Sequence, residues 1–168
     1  MADRPILLWP DARLRQQAAP VEAVTDDLRE LADEMLRIMY AAPGRGLSGP
    51  QIGVMRRIFV MDAGWKEGAP EPRVMLNPEI VHASAETAMR AEGCLSLPGL
   101  TAEVARPAEV TLRFTGLDGA VHEETFTGFA ATCVQHERDH LDGILCIDHL
   151  APEDREAVEP ALQALERA

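Results

Sequence analysis

At 168 residues and 18.4 kDa the chain has the length of one domain, with room for a single sizeable core. Sixteen basic against 28 acidic residues leave a net charge of −12 and a pI near 4.8, which argues against non-specific nucleic-acid binding and against an anionic membrane surface. With 46% apolar but only 4% aromatic residues, the core must be aliphatic, and one lysine, Lys66, stands among the basic residues.

The N-terminal Met1-Ala2-Asp3-Arg4-Pro5-Ile6 sets an acid and a proline where a signal peptide needs an apolar stretch. No run of about 20 apolar residues follows, so no membrane-spanning helix is expected. Pro20 closes an N-terminal arm. Thr25 or Asp26 caps a helix running to about Ala41, with Leu28, Leu31, Met35, Leu36 and Met39 at helical spacing and Asp26 and Asp27 at its positive end. Pro43 and Gly44 stop it. The middle of the chain reads as strand: 57–61, 74–76, then Ile80 and Val81 after Asn77-Pro78. Segments 110–114 and 121–126 flank Leu117-Asp118-Gly119 as a hairpin. Segment 64–72, rich in Gly, Glu and Pro, reads as an exposed loop. A second long helix should start near Thr127-Gly128, lie buried over 129–134, and end at Gly143. A last helix, about 153–167, is interrupted by Pro160. These elements make one α+β domain over 1–168.

His136-Glu137-Arg138-Asp139-His140 falls on the second helix. At about 100° per residue, its two imidazoles lie about 40° apart, one turn up the same face. Both can clamp one metal ion while Glu137 reaches a bound water. A third ligand is needed, and Cys94, Cys133, Cys146, His82, His122, His149 and many carboxylates are candidates. The rise from Cys133 to His140 is about 10.5 Å, a hard reach given metal–ligand bonds of about 2 Å, so Cys133 reads as a small buried hydrophobe beside the site. Cys94 sits in Glu92-Gly93-Cys94-Leu95-Ser96, where Gly93 permits close backbone approach. A thiolate beside two imidazoles suits zinc or ferrous iron. Three cysteines are an odd number and too few for a disulfide scaffold, so a reducing cytoplasm is the expected compartment.

Three segments together resemble the motifs of peptide deformylases: Gly44-Arg45-Gly46-Leu47-Ser48-Gly49-Pro50-Gln51-Ile52-Gly53, Glu92-Gly93-Cys94-Leu95-Ser96, and Gln135-His136-Glu137-Arg138-Asp139-His140-Leu141-Asp142-Gly143. The resemblance covers essentially the whole chain from Pro10. It implies an α+β fold, with antiparallel sheets packed around a central metal-binding helix and a helix near each end. It implies removal of the formyl group from the N-terminal formyl-methionine of new polypeptides, with release of formate. Cys94, His136 and His140 would hold the metal, with water in fourth place. Ferrous iron (Fe2+) would be the physiological ion, and Zn2+, Ni2+ or Co2+ substitutes. Gln51 and the Leu95 N–H would face the formyl oxygen, and the wall made by Phe129, Thr132 and Cys133 would receive the methionine side chain, with Arg45, Gly46 and Gly93 also along the peptide. Formyl-methionyl nascent peptides are then the expected partners of a monomer that binds neither membrane nor nucleic acid directly.

The chemistry is physically coherent. A metal lowers the pKa of bound water toward about 7. Glu137 can take the water's proton and return it to the leaving amine. Fixed donors stabilise the oxyanion, each commonly supplying about 2.7–4 kcal/mol. Phe129, Thr132 and Cys133 lie seven, four and three residues before His136 and so share its face. Glu92 and Asp139 are expected to orient the ligating imidazoles, with Arg106 as their counter-charge.

Arg45, Ser48-Gly49 and Thr132 depart from the family pattern, in which aliphatic residues and alanines are common there. Segment 151–168 holds five acids and two arginines, unlike the basic ribosome-docking tail of some relatives, so ribosome contact in that mode is not expected. Two alternatives share the motif. A His-Glu-x-x-His metallopeptidase would draw its third ligand from downstream, and a non-catalytic paralogue would bind formylated peptides without turnover.

Overall fold

Thr25 ends an extended segment and accepts a hydrogen bond from the Leu28 N–H at 3.2 Å, capping α1 (Asp26–Ala41) in a computed structural model describing residues 2–168. Leu28, Leu31, Ala32, Met35, Ile38 and Met39 form its buried stripe, while Leu36 is half-buried.

The main sheet is antiparallel. It runs in the order β1 (Gly46–Ser48), β2 (Ile58–Met61), β3 (Arg73–Ala83), β6 (Glu109–Thr115) and β7 (Val121–Thr127). Strands β4 (Thr87–Gly93) and β5 (Thr101–Pro107) pair separately as a two-stranded ribbon. All four residues of β2 are buried, and they alternate between two cores. Ile58 and Val60 join Leu76 and the α1 stripe on one face. Phe59 and Met61 join Met75, Leu112, Phe126 and Val134 of α2 (Gly128–Leu141) on the other. A strand covered on both faces has no polar side, which is why 58–61 reads as an unbroken apolar run.

The third core fixes the ribbon in place. Ala102 and Val104 of β5 pack with Leu14 of the N-terminal arm, Leu97, Ile147, and Leu162 of α3 (Pro152–Glu166). Leu162 is the one fully buried residue of α3, so this contact of roughly 1.5–3 kcal/mol anchors that helix. The arm also ties two distant segments together. Leu7 N–H donates to the Gln51 carbonyl at 2.7 Å and Trp9 N–H to the Ser96 carbonyl at 3.0 Å. Gly143 ends α2 at φ 73°, where a Cβ would lie 2.4 Å from the Arg15 carbonyl oxygen; only glycine lets the arm pass there.

The fold is α+β as expected, with differences in detail. Segments 74–76 and 80–81 belong to a single strand, β3. Asn77 takes φ 50° within it, and its side chain accepts from Val21 N–H and donates to Val21 C=O, both at 2.8 Å. Asparagine tolerates the left-handed region, and the register shifts there, so the strand bends at Asn77-Pro78 instead of ending. Strands β1, β4 and β5 were not expected. Segment 64–72 is not wholly exposed: Trp65–Glu67 form a 3-10 turn, and half-buried Trp65 donates to the Gly44 carbonyl at 2.9 Å. Phe129, expected in the buried stretch of α2, is 39% exposed, since burial begins at Ala131. Pro160 does not interrupt α3; it sits on the exposed side and the helix runs through it.

Candidate metal centre

Two neighbouring elements supply the cluster. One turn of α2 presents His136 and His140, whose Nε2 atoms are 3.2 Å apart. Cys94, in the turn that follows β4, brings Sγ to 3.4 Å from His140 Nε2. The sulfur and one nitrogen from each imidazole all lie within 4.8 Å of one another. The structure therefore brings Cys94, His136 and His140 together, and leaves Cys133 and Cys146 outside that trio. Cys133 Sγ points to the Arg45 carbonyl at 3.6 Å, and burial pushes its thiol well up.

The donors fit a soft cation. Two imidazole nitrogens facing each other compete for one proton, and a third, His140 Nδ1, is buried without a partner. Cys94 Sγ and the two Nε2 atoms could together hold a cation, a donor set that suits zinc or ferrous iron. Glu92 fixes the first ring: its Oε1 is 2.9 Å from His136 Nδ1, so the Nδ1–H donates outward and Nε2 is the nitrogen turned toward the centre. Arg106 holds Glu92 at 2.6 and 2.9 Å and Asp139 at 2.8 Å, all of it buried. Asp139 touches neither imidazole ligand, contrary to expectation. Its other partner is His149 at 2.8 Å, one of the candidate third ligands, which meets this carboxylate instead of the cluster.

Burial and charge set the titration of these groups. Burial disfavours a charge on Glu92, but hydrogen bonds from His136 and Arg106 outweigh it and lower its pKa. Burial also opposes charge on His136, yet Glu137, Cys94 and Glu92 hold its pKa well above the ordinary value. Burial, with the charges of His136 and Arg106, drives His140 well below it. Burial pushes the Glu137 carboxyl up to about 7, against the pull of His136 and with the repulsion of Glu92.

Glu137 stands over the cluster with Oε2 3.9 Å from His136 Nε2 and Oε1 buried without a partner. Gln51 approaches from the other side. Its Oε1 accepts from the Ser48 N–H at 3.0 Å and lies 3.1 Å from the Ser48 hydroxyl; its Nε2 donates to Ser96 Oγ at 3.1 Å and points at Cys94 Sγ, 3.6 Å away. Ser48 and Ser96 thus fix which end of the amide faces the sulfur, a role the sequence reading assigned to neither. The spacing of Ser48 and Gln51 was the available signal, since a serine three residues before a glutamine is a capping-box pattern.

A cavity of about 690 Å³ opens beside the cluster. Arg45, Gly46, Phe129, Thr132 and Cys133 line it together with His136 and Glu137. Gly93, Cys94, Leu95 and Gln51 line it from the β4 side, and no hydrogen bond among the described residues engages the Leu95 N–H. Lys66, from the turn in 64–72, also reaches this cavity and was not among the expected site residues. Among the described residues, no helix is long and apolar enough to cross a membrane.

Comparison with known proteins agrees with this geometry. A family profile described as Polypeptide deformylase matches residues 3–156. A peptide deformylase of Nitrobacter hamburgensis is 49% identical over 162 residues, covering 94% of this chain and 93% of the relative. One of Rhodopseudomonas palustris is 52% identical over 153 residues, covering 90% and 85%. Among solved structures, a peptide deformylase from Legionella pneumophila superposes with a TM-score of 0.90 at 40% identity, covering 99% of this chain and 96% of that one. One from Plasmodium falciparum superposes with a TM-score of 0.92 at 36% identity, covering 97% and 95%. At this identity and coverage, the chain belongs to the polypeptide deformylase family, enzymes that remove an N-terminal formyl group in a metal-dependent reaction.

Proposed function

We propose that the chain, acting as one catalytic domain in the cytoplasm, hydrolyses the formyl group from formyl-methionine at the start of newly made polypeptides and releases formate. The observation that carries this reading is the convergence of Cys94 Sγ with the Nε2 atoms of His136 and His140 beside an unpartnered oxygen of Glu137. Cys94, His136 and His140 would hold the metal. A thiolate with two imidazoles suits several ions; the family resemblance makes ferrous iron the proposed resident ion, with zinc, nickel or cobalt as substitutes. When bound, such an ion polarises a carbonyl and lowers the pKa of water to about 7.

The remaining work falls to the chain. Glu137 accepts a proton from the attacking water as oxygen adds to the formyl carbon. Its burial-raised pKa of about 7 suits both taking that proton and giving it back. The carbon–nitrogen bond then breaks, Glu137 protonates the departing nitrogen, and formate and a free amine remain. Negative charge collects on the former carbonyl oxygen during attack. Gln51 Nε2, held by Ser48 and Ser96, and the free Leu95 N–H would be the donors to that oxygen. Phe129, Thr132 and Cys133 offer the methionine side chain a largely apolar wall, with Arg45, Gly46 and Gly93 along the peptide.

The test is formate release from a formyl-Met-Ala-Ser peptide, with elemental analysis of the same anaerobic sample. Glu137→Ala should abolish turnover and keep the metal, whereas Cys94→Ala should lose both. Full turnover in the Glu137→Ala protein would refute the assigned role. A metallopeptidase would keep its metal in Cys94→Ala and cleave an unformylated peptide. Against that alternative, the downstream His149 is engaged by Asp139 and stands outside the cluster.

A further inference from the structure

The mouth of the cavity carries the opposite charge to the protein as a whole. The chain has a net charge of −12, yet Arg45 and Lys66, its single lysine, both line the cavity. Among the described residues, the only acids lining it are Glu92 and Glu137, both buried at the metal cluster, and Glu92 is already paired with Arg106.

The Arg45 side chain is held in place, and Lys66 rides on an anchored turn. The Arg45 guanidinium donates to the Ala63 carbonyl at 3.0 Å and to Glu67 Oε1 at 2.6 Å, with its carbon 4.9 Å from the Phe129 ring centroid. These contacts use two of its five N–H donors. Lys66 is exposed, lies 5.7 Å from the Trp65 ring centroid, and forms no ion pair among the described residues. Trp65 is itself anchored to the Gly44 carbonyl at 2.9 Å and packs edge-on against Tyr40. The 3-10 turn that presents Lys66 is thus pinned to the segment leading into β1. Arg45 is the neighbour of Gly46, the residue in contact with Glu137. An extended peptide advances roughly 3.3–3.6 Å per residue, so a substrate leaving the cluster along this cavity would present the residues just after its formylated methionine to these cations.

We propose that Arg45 and Lys66 select the substrate, favouring formyl-methionyl peptides that carry Asp or Glu at the second or third residue. This inference rests on the deformylase reading. It concerns specificity, because both cations lie off the reacting atoms. Glu67 competes for Arg45 from the solvent side, with 59% of its side chain exposed, and a peptide carboxylate would displace or share it. Exposed pairs of this kind are individually weak, so the two together should give roughly three- to tenfold discrimination.

The experiment compares kcat/KM for formyl-Met-Ala-Ser, formyl-Met-Glu-Ser, formyl-Met-Ala-Glu and formyl-Met-Ala-Lys. All carry amidated C-termini, and the metal-loaded enzyme is used at low salt. The acidic peptides should lead the neutral one mainly through a lower KM, and the lysine peptide should trail. The ratio of acidic to neutral should fall toward one in Lys66→Met and in the Arg45→Met, Lys66→Met double variant. It should also fall as salt shortens the Debye length from about 10 Å at 0.1 M to about 3 Å at 1 M. Glu67→Gln should raise it. Acidic peptides no better than the neutral one, or a preference that survives both the variants and high salt, would overturn the proposal while formate release still upholds the deformylase reading. No formate from any of the four peptides would overturn that reading, and this inference with it.

Discussion

Replacing Gly46 with alanine adds one methyl group where the structure has no room for it. The new Cβ would stand 2.5 Å from Glu137 Oε2, 2.8 Å from its Cδ and 2.9 Å from its Cγ. The backbone itself accepts alanine, because Gly46 is absent from the positive-φ glycines. The whole effect therefore falls on the Glu137 side chain. Its carboxylate and Cγ must retreat together by about 1 Å, a misplacement that costs about 10²-fold when it moves a reacting group. That corresponds to about 2.7 kcal/mol on the barrier. Steady-state formate release should show kcat down by about 10²-fold with KM changed much less. Elemental analysis should find the metal retained, since Cys94, His136 and His140 are untouched. A Gly46→Ala enzyme with normal kcat would show that Glu137 need not sit where the structure holds it.

Three further outcomes follow from the supports around the site. Ser48→Ala removes the hydroxyl 3.1 Å from Gln51 Oε1 but leaves the backbone donor, so kcat/KM should fall by roughly the value of one neutral hydrogen bond, about fivefold; Gln51→Ala in the same background should then cost less than it does alone. Arg106→Met strands Glu92 and Asp139 in the interior, and urea unfolding should show a loss of about 3–5 kcal/mol; a loss of a few tenths would mean that water already reaches the pair. Tyr40 is the single tyrosine, so phenolate absorbance reports it alone. Burial and its 2.6 Å hydrogen bond to Asp62 raise its pKa to about 12. The stability contributed by the protonated phenol is complete below its unfolded pKa of about 10 and lost as pH rises through about 12. Asp62→Asn should move the absorbance midpoint down; an unmoved midpoint would remove the carboxylate as a cause.

Local signals carried what could be read from the sequence. The cap at Thr25, the apolar period of α1, and the turn at Leu117-Asp118-Gly119 each act within a few residues, and α1 and the β6–β7 hairpin follow them. The His136–His140 spacing is likewise local, and α2 places both rings on one cluster. What stayed hidden depends on distant partners. β5 alternates faithfully, with Ala102, Val104 and Arg106 inward, but alanine and arginine give little strand signal, and Arg106 is inward only because Glu92 and Asp139 await it. β4 is largely exposed, so it shows no apolar run at all. Asp139 could not be assigned from its position beside His140, because which carboxylate meets which nitrogen was settled by Arg106 on another strand. Phe129 begins α2 outside the packed layer for a related reason: its neighbour is the Arg45 side chain at the cavity rim.

The N-terminal arm gives the catalytic apparatus a dependence that none of its three motifs reveals. Leu7 and Trp9 stitch the Gln51 turn to the Ser96 turn, and the Trp9 indole reaches the Glu166 carboxylate at 3.2 Å near the end of α3. Trimming the first nine residues, or splicing a bulky tag tightly onto them, would therefore uncouple the Gln51 amide from the sulfur it faces, although every motif residue remained present.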